Sequence, residues 1–407
     1  MARSFAGRRS VGLARLVGVI GLFGICGGIA AAQESVIFSL SSSATAGFGT
    51  LEDTELAIYD DAAGVIRPWL MAPTAAYYAG DVDGDGLTDA WKDVDALYVE
   101  QAGKRVTGVQ VSFNTSFGPF LDGDLVGLGS TGVLELVHSE AEIVAALGIN
   151  DGNMDVDALH VGSNGRIYLS FGDDENSAIL STDSPGVITD GSIVWWDPVN
   201  QTVGVELIEG QVDAFVSQAL NKTTKTADTL GVTIDSNGVI CFSVQSPSSD
   251  DGAVFSAANG GEYVHREADL GFSVTVEIDA LDLQSAPIGF LAARATPRIV
   301  PGNAVTTVDV DRNPAAHPFL LLLSTARADT KLFPFKGFFG LGLDPADPLF
   351  SASIADLPWA YGVTDVAGHG TIVFPAAPVG VVLTLFCQPY DFGDHSYGTP
   401  IAIELTG

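Results

Sequence analysis

The sequence predicts an all-β fold, in which a small β-propeller of four or five blades precedes an antiparallel β-sandwich. Three observations support this prediction. An Asp-Ala-Leu segment recurs at long period, which is typical of repeated supersecondary units. Each copy is followed by short runs rich in β-branched and aromatic residues between Gly, Asn, Asp and Pro turns, the pattern of consecutive strands. The composition also changes near residue 312. The copies are Asp95–Leu97, Asp157–Leu159 and Asp279–Leu281, with an altered one at Ala227–Leu230.

The chain begins with the features of a secretory signal peptide. Four arginine residues lie among the first fifteen, an apolar run extends from Leu16 to Ile29, and three alanines follow at 30–32. A basic start, an apolar stretch too short for a comfortable membrane span and a small-residue cleavage site define this class of segment. We therefore expect residues 1–32 to be removed. The mature protein would be secreted or at the cell surface, extracellular or periplasmic, with no membrane insertion after cleavage.

The charge of the chain restricts its partners. The 18 basic and 50 acidic residues give a formal net charge of −32. Residues 1–32 hold four arginines and no acidic residue, so the mature chain is more acidic still. Such a field repels nucleic-acid phosphates and anionic lipid headgroups, which excludes both as expected partners. Cations are the natural counter-species, although the acidity also serves simply to keep an exported protein in solution.

Residues 33–312 form the predicted propeller-like repeat domain, with four strands in each unit. In the second unit we expect strands at Asp157–Val161, Arg166–Phe171, Ser192–Asp197 and Thr202–Ile208. The same order recurs upstream, beginning at Asp95. Four consecutive antiparallel strands make one propeller blade, so each unit is predicted to be a blade.

The two ends of the repeat domain are out of phase in a way that predicts closure. Val36–Leu40 resembles a second strand with no first strand before it, and Ile278–Leu283 resembles a first strand near the other end. Ile288–Ala292 is predicted to follow as another second strand. Together the two ends would complete one blade, which removes the exposed sheet edges of an open array.

One connection between units is predicted to be a short helix. It begins after Ser139, has Glu142 at the capping-box position, and ends at Gly148. Gln211–Leu220 is its predicted counterpart in the next unit. Long connections on one face of a repeat array are where binding sites usually lie, so these loops are the predicted binding surface.

Residues 313–407 are predicted to form the β-sandwich. Strand-like runs alternate there with Gly, Pro and Asp turns, as in a compact antiparallel sandwich. The mature cysteines, Cys241 and Cys387, lie far apart in sequence and are flanked by apolar residues, so we expect buried free thiols rather than a disulfide. The predicted strands are Phe319–Ser324, Gly340–Leu343, Gly370–Phe374, Gly380–Phe386 and Ile401–Leu405.

The repeats, together with the C-terminal segments Val363–Thr371 and Phe386–Gln388, resemble those of uncharacterised exported bacterial proteins. Those proteins pair a propeller-like region bearing Asp-Ala-Leu strands with a terminal β-sandwich. The resemblance extends over most of the mature chain. It implies the two-part all-β architecture and brings no assigned activity with it.

The strongest chemical signal is a run of carboxylates that alternate with other residues and glycines. Such spacing wraps oxygen ligands around one hard cation, as in EF-hand-type loops, and it resembles dockerin-like and thrombospondin-like calcium repeats. The twelfth position holds Lys92 instead of the bidentate Glu, so Asp93 is expected to substitute. The sequence predicts a structural Ca²⁺ here; the alternative is a solvated acidic turn. The predicted ligands are Asp81, Asp83, Asp85, Leu87 through its carbonyl, Asp89 and Asp93.

A second set of carboxylates follows from the repeat itself. Asp95, Asp157 and Asp279 recur at the same blade position, and equivalent positions of a propeller gather round one axis. They would bind a central cation, perform acid–base chemistry, or cap neighbouring loops by accepting hydrogen bonds from backbone amides.

No complete catalytic motif occurs in the sequence: it contains no Gly-x-Ser-x-Gly elbow, no P-loop and no paired-histidine metal motif. We therefore expect a secreted, non-enzymatic, calcium-stabilised binding or structural protein that presents propeller loops to an extracellular protein or glycan. Trp195 and Trp196 point to opposite faces of one strand, so only one of them is available to a glycan. The alternative is a secreted polysaccharide hydrolase or lyase that uses carboxylates at the propeller channel.

Overall fold

The computed structural model describes residues 35–406 apart from short segments, and the predicted signal peptide lies outside this part. The segments not described are 47–48, 62–63, 72–76, 80–92, 103–104, 129–132, 151–153, 225–227, 246–251, 273–275, 285–289, 301–302, 314–316, 333–340, 356, 367, 375–381 and 393–395.

The described residues form mainly β-strands with three α-helices. The strands up to residue 284 are β1 (Ser35–Leu40), β2 (Ala44–Ala46), β3 (Gly49–Leu51), β4 (Leu56–Asp60), β5 (Val65–Leu70), β6 (Val94–Ala102), β7 (Arg105–Phe113), β8 (Leu125–Leu128), β9 (Leu134–His138), β10 (Val156–Val161), β11 (Ile167–Phe171), β12 (Glu175–Asn176), β13 (Val187–Ile188), β14 (Ile193–Asp197), β15 (Thr202–Leu207), β16 (Asp228–Ile234), β17 (Ile240–Gln245), β18 (Val254–Ser256), β19 (Glu262–His265) and β20 (Ile278–Gln284).

The remaining strands are β21 (Phe290–Val300), β22 (Asn303–Asn313), β23 (Pro318–Ser324), β24 (Arg327–Leu332), β25 (Leu341–Leu343), β26 (Tyr361–Val363), β27 (His369–Val373), β28 (Val382–Asp391), β29 (Ser396–Tyr397) and β30 (Ile401–Thr406). The helices are α1 (Glu140–Leu147), α2 (Glu209–Leu220) and α3 (Pro348–Ala355), with 3₁₀ turns at Ala258–Gly260 and Pro358–Ala360. Among the described residues, none of the helices has the length and apolar character required to cross a bilayer.

Four antiparallel sheets of four strands account for most of residues 35–284. Sheet 1 has the order β20-β1-β4-β5, sheet 2 is β6-β7-β8-β9, sheet 3 is β10-β11-β14-β15, and sheet 4 is β16-β17-β18-β19. In sheet 1 the first and last strands of this region are neighbours, with Phe38 opposite Leu281. The predicted pairing of the two ends is therefore confirmed. Ribbons β2-β3 and β12-β13 are inserted between these strands.

Residues 290–292 lie in strand β21, and residues 288–289 lie outside the described part of the chain. The prediction that Ile288–Ala292 forms the second strand after β20 was wrong in its sheet. Strand β1 already occupies that place in sheet 1, because it pairs with β20 on one side and β4 on the other. The chain from Phe290 onward pairs instead with β22, and β22 pairs with β27. The predicted boundary at residue 312 therefore lies near the end of β22. That strand pairs with β21, which precedes the boundary in sequence, and with β27, which follows it.

Each of sheets 1–4 begins at an edge strand, and these four strands, β6, β10, β16 and β20, pack against one another. Each contains an irregularity of register at its start. The extra residue is Asp95 in β6, Asp157 in β10 and Leu230 in β16, and in β20 it lies at Asp279–Ala280. Leu97, Leu159 and Leu281 are therefore at equivalent positions of equivalent strands, as the repeat predicts. The altered copy is displaced by two residues from the sequence alignment, since Leu230, and not Asp228, occupies the irregular position.

The Ala of the repeat has a packing role, because the Leu of a neighbouring edge strand lies against it. Leu97 shares a buried cluster with Ala280, and Leu159 shares one with Ala96. In the altered copy the Ala is replaced by Gly231, where an added Cβ would lie 2.7 Å from Cβ of Leu281. At Gly231 even an alanine would overpack the contact between sheets.

Each of the four sheets shares a buried apolar cluster with two others. One cluster contains residues of sheets 1 and 2, a second of sheets 2 and 3, a third of sheets 3 and 4, and a fourth of sheets 4 and 1. Burial of apolar area at about 25 cal/mol per Å² makes these contacts the main stabilising term of residues 35–284. Cys241 is buried and free in the fourth of these clusters, as predicted.

The two predicted helices connect one sheet to the next. Helix α1 has the predicted capping box, since Glu142 N donates to Ser139 Oγ and Ser139 N donates to a Glu142 carboxylate oxygen. It ends at Gly148 in the left-handed conformation, with φ 67°. In helix α2 the left-handed residue at the end is Asn221. These local signals are strong enough to define both helices from the sequence.

The C-terminal region contains two larger antiparallel sheets and the two-stranded ribbon β24-β25. Sheet 5 is β21-β22-β27, and sheet 6 is β26-β23-β28-β29, with β30 also on β28. A buried cluster that includes Val308, Phe319 and Ile401 contains residues from both sheets, together with the free thiol Cys387. This region also contacts the first one, because Arg327 Nη1 donates to the carbonyl of Tyr77 at 2.7 Å and the Tyr77 ring packs on Phe386.

Candidate functional site

Carboxylates converge where the four edge strands begin. Asp95, Asp157 and Asp279, the residues predicted from the repeat, lie at the irregular positions of β6, β10 and β20. A bulge interrupts the alternation of side chains along a strand and re-aims the extra residue. The three side chains can therefore point along the shared end of the strands instead of into the clusters between sheets, and the prediction that they gather is confirmed.

Further acidic residues stand two positions before each irregular one. Asp93 precedes Asp95 in this way, and Asp155, Asp228 and Glu277 are the equivalents on the other three strands. Asp93 was expected only as a loop ligand, and Asp155 and Asp228 were not expected to belong to the set. An acid-x-Asp pattern at the start of three of the four strands would have identified Asp93 and Asp155. Asp228 lies outside that pattern, because the residue two positions after it is Leu230.

Two triads bring carboxylate oxygens close together. One atom each from Asp93, Asp95 and Asp279 lies within 4.8 Å of the others, and the same is true of Asp95, Asp155 and Asp157. Asp95 belongs to both triads. Asp228 lies beside the second one, where its carboxyl group hydrogen-bonds with that of Asp157. We refer to these six residues as the carboxylate cluster.

The cluster is largely withdrawn from water and incompletely hydrogen-bonded. Asp95 is only 5% exposed, and its Oδ2 is buried with no hydrogen-bond partner among the described residues. One buried oxygen each of Asp93, Asp155 and Asp228 is in the same condition within that part of the chain. Native proteins leave few buried polar atoms unpaired, because each costs about 1–3 kcal/mol and more when charged.

Burial raises the pKa of every carboxyl group in the cluster, and repulsion by nearby carboxylates inside or outside the cluster adds to the increase. Burial comes first in each case; repulsion by Asp279 and its neighbours also contributes to raising the pKa of Asp95, to about 10. The pKa of Asp155 and of Asp279 rises to about 8, and that of Asp93 to about 7. Asp157 and Asp228 are hydrogen-bonded to each other, and burial raises the pKa of both carboxyl groups. No basic side chain is among the causes of any of these shifts.

This geometry suits a hard cation. Carboxylate oxygens are the ligands that Ca²⁺ and Mg²⁺ prefer, and ligand atoms around one such ion lie within about 5 Å of each other. The spacing within each triad is shorter than the separation of the two carboxyl groups in glycoside hydrolases, about 5–5.5 Å in retaining enzymes and about 6.5–9.5 Å in inverting ones.

The predicted calcium loop lies almost entirely outside the described residues. Asp81, Asp83, Asp85, Leu87 and Asp89 belong to segment 80–92. Only Asp93 is described, and its carboxylate belongs to the first triad with Asp95 and Asp279. The loop therefore leads directly into the carboxylate cluster.

A different polar group lies three positions beyond the irregular residues, where Tyr98, His160, Thr233 and Asp282 occupy equivalent positions. Asp282 is 1% exposed and accepts hydrogen bonds from the backbone N–H of Val99 at 2.9 Å and from Thr233 Oγ1 at 2.8 Å. The Nδ1 of His160 lies 3.6 Å from an Asp282 oxygen, and the Tyr98 ring packs edge-on against His160. We refer to these residues as the polar network.

The two adjacent tryptophans lie on opposite faces of β14, as predicted. Trp196 is buried against His138 between sheets 2 and 3. Trp195 is half-buried, and the guanidinium of Arg166 lies 3.8 Å from the centre of its ring. Arg166 therefore already covers one face of the tryptophan that was expected to be available to a glycan.

No protein-family model matches this sequence, and no curated protein matches it at a significant level. Among solved structures, the chain is similar to one described as the crystal structure of S. cerevisiae core factor at 3.2 Å resolution, with 8% identity and a TM-score of 0.21. The alignment covers 93% of this chain and 58% of that chain. This chain thus spans less than two thirds of the length of the protein it matches, and a similarity this weak says nothing about fold or function.

Proposed function

We propose that the protein is an exported, non-enzymatic binding or structural protein stabilised by calcium. In this proposal sheets 1–4 are the four blades of a β-propeller, and sheets 5 and 6 form a β-sandwich behind it. The carboxylate cluster binds the cation on the propeller axis, and the predicted loop Asp81–Asp89 contributes through Asp93.

The packing of the sheets supports the propeller. The shared clusters run from sheet 1 to 2, 2 to 3, 3 to 4 and 4 back to 1. In a propeller the strand from one end of the chain closes the blade begun at the other, and β20 beside β1 corresponds to that closure. The common core of sheets 5 and 6 supports the sandwich in the same way.

The observation that carries the cation proposal is the state of Asp95. Its buried Oδ2 has no hydrogen-bond partner in the described part of the chain, although carboxylates from two other strands lie beside it. Burying an uncompensated charge costs several kcal/mol, so the folded chain requires either protons or a cation at this place. A hard divalent cation satisfies several oxygens at once.

A binding or structural role fits the site better than catalysis. Within each triad, one oxygen from each residue lies within 4.8 Å of the others, which is the spacing of ligand atoms around a single cation. Binding would then fall to the connections between blades, which in propellers lie together at one face. The net charge of −32 disfavours nucleic acid, so an extracellular protein or a glycan is the proposed partner.

Thermal unfolding of the mature protein tests the cation proposal. After removal of metal with a chelator, millimolar calcium should raise Tm by about 5 °C or more, because a ligand at 100 times its Kd adds about 2.7 kcal/mol. The Asp95→Asn variant should lose this increase. The Asp83→Asn/Asp85→Asn variant should lose only part of the Tm increase, because the loop contributes to the cluster through Asp93 alone and Asp93 is unchanged.

The matched control is Glu206→Gln, which removes an exposed carboxylate from the outer strand β15. It should respond to calcium as the parent does. An unchanged Tm of the parent in calcium would rule out the proposal, and a full response of Asp95→Asn would place the cation elsewhere.

A further inference from the structure

We propose that the carboxylate cluster is a two-cation centre in which Asp95 bridges two divalent cations. This inference rests on the proposed function, because it assumes that the cluster binds a cation at all. It goes further in assigning the number of ions, the ligands of each, and the residue that they share.

The described carboxylates separate into two ligand sets. The first joins Asp93 and Asp95 to Asp279, and the second joins Asp95 to Asp155 and Asp157. Each set has three oxygens close enough to contact one ion at the usual 2.3–2.6 Å. Asp95 alone is common to both, and a carboxylate has two oxygens with which to contact two ions.

The unpartnered oxygens point to ions rather than to a set of internal hydrogen bonds. Asp95 is more than nine-tenths buried, and its Oδ2 has no partner within the described residues. Asp228 is also about nine-tenths buried, with an unpartnered Oδ1, and it stands beside the second set through Asp157. Both sets therefore include or adjoin a buried acceptor that nothing in the described chain satisfies.

Charge favours two ions over one. Six carboxyl groups converge, and no basic side chain of the described residues contributes to their electrostatics. One divalent cation would leave most of this charge uncompensated in a poorly solvated place. A second ion compensates a larger share of the negative charge of the six carboxylates.

The two ions would connect three of the four sheets. The first set joins β6 of sheet 2 to β20 of sheet 1, and the second joins β6 to β10 of sheet 3. Strand β6 therefore occupies the central position, and the loop 80–92 that precedes it is where the predicted calcium ligands lie.

Counting bound ions in matched variants tests the inference. Metal-free mature protein is titrated with calcium alone by isothermal titration calorimetry, and the bound ion is counted independently by equilibrium dialysis. Asp279→Asn should lose one ion relative to the parent, and Asp155→Asn should lose a different one. The double variant should lose two ions, and Asp95→Asn alone should also lose two, each with affinity reduced more than about tenfold.

The losses are compared with the parent, so a separate ion held by loop 81–89 does not disturb the count. Glu206→Gln should bind as many ions as the parent, and far-UV circular dichroism of each variant confirms that it is folded. If all three single variants and the double variant lose the same single ion, the centre has one cation: the further inference fails while the proposed function stands. If none of them loses an ion, both fail.

A second measurement uses Mn²⁺ alone as the probe. Two Mn²⁺ ions bridged by one carboxylate couple magnetically and give a broadened electron paramagnetic resonance spectrum. The parent should show this spectrum at saturation, and Asp279→Asn should show only the six-line pattern of isolated Mn²⁺. An isolated-ion spectrum from the fully loaded parent would overturn the bridged centre.

Discussion

The carboxylate cluster and the polar network occupy successive positions on the same four strands, but their buried carboxylates differ in hydrogen bonding. In the polar network, Asp282 accepts hydrogen bonds from a backbone amide and from Thr233, and His160 lies beside it. In the carboxylate cluster, the charged groups that act on Asp95 are other acids, and its Oδ2 has no hydrogen-bond partner within the described chain. The difference is one of partners and not of burial.

This contrast indicates that the polar network stabilises the fold, whereas the carboxylate cluster requires a ligand. A buried carboxylate with complete hydrogen bonds adds specificity to the packing of the strands. A buried group of like charges without partners destabilises the fold until a proton or cation joins it. Asp282 is therefore a reference for Asp95, because both are buried acids in equivalent strands and they differ in their hydrogen-bond partners.

The largest expected effect comes from the matched substitutions Asp282→Asn and Asp95→Asn in chelator. Asp282→Asn should lower the free energy of unfolding by about 2–3 kcal/mol, because its new amide group faces donors that need an acceptor. Asp95→Asn should leave the free energy unchanged or raise it, because folding of the variant no longer requires a buried carboxyl group to take up a proton. Urea unfolding followed by circular dichroism measures both.

Equal losses of stability in the two variants would mean that Asp95 makes structural contacts like those of Asp282. The contrast between the two groups would then be wrong.

The pH dependence of the metal-free protein should be the next largest effect. The folded-state pKa of Asp95 is about 10, and those of Asp155 and Asp279 are about 8, all well above the unfolded value of about 3.9. The folded state therefore holds protons that the unfolded chain has released. This stabilisation is complete below pH 4 and is lost as the pH rises through the folded-state values.

In chelator, Tm should accordingly fall by several degrees between pH 5 and pH 9, as measured by differential scanning calorimetry. Asp95→Asn should give a flatter curve, while Glu206→Gln should follow the parent. A parent Tm that rises with pH over this range would contradict the predicted protonation of the cluster.

The smallest effect distinguishes two serines at equivalent positions of neighbouring sheets. Ser39 Oγ donates to the carbonyl of Val94 at 2.7 Å and accepts from the backbone N–H of Ala280 at 2.9 Å. Ser243 Oγ is buried without a partner among the described residues. Ser39→Ala should therefore cost about 1–2 kcal/mol of unfolding free energy, and Ser243→Ala should cost nothing.

Both variants are compared with the parent by urea unfolding in chelator. A cost for Ser243→Ala equal to that of Ser39→Ala would show that neutral hydrogen bonds already join all the sheets at the carboxylate end. The proposed cation would then contribute less to holding the sheets together at that end of the strands.

Much of the fold could be predicted because its signals are local. The capping box at Ser139 and Glu142 and the glycine at 148 define α1 within a few residues of sequence. The Asp-Ala-Leu repeat predicted equivalent strands, and the missing first strand at the start of the chain predicted the pairing of β1 with β20. The strand at 288–292 could not be assigned correctly, because an apolar run does not indicate which sheet it joins.

The sequence by itself determined which positions repeat, and hence that Asp95, Asp157 and Asp279 would lie together. Only the tertiary structure decided that Asp93, Asp155 and Asp228 join them and that Leu230 takes the fourth irregular position. The physical reason is that a bulge displaces the register by one residue without a visible mark in the sequence. Whether a buried acid is satisfied, as Asp282 is, or left without a partner, as Asp95 is, depends on which strands pack together far along the chain.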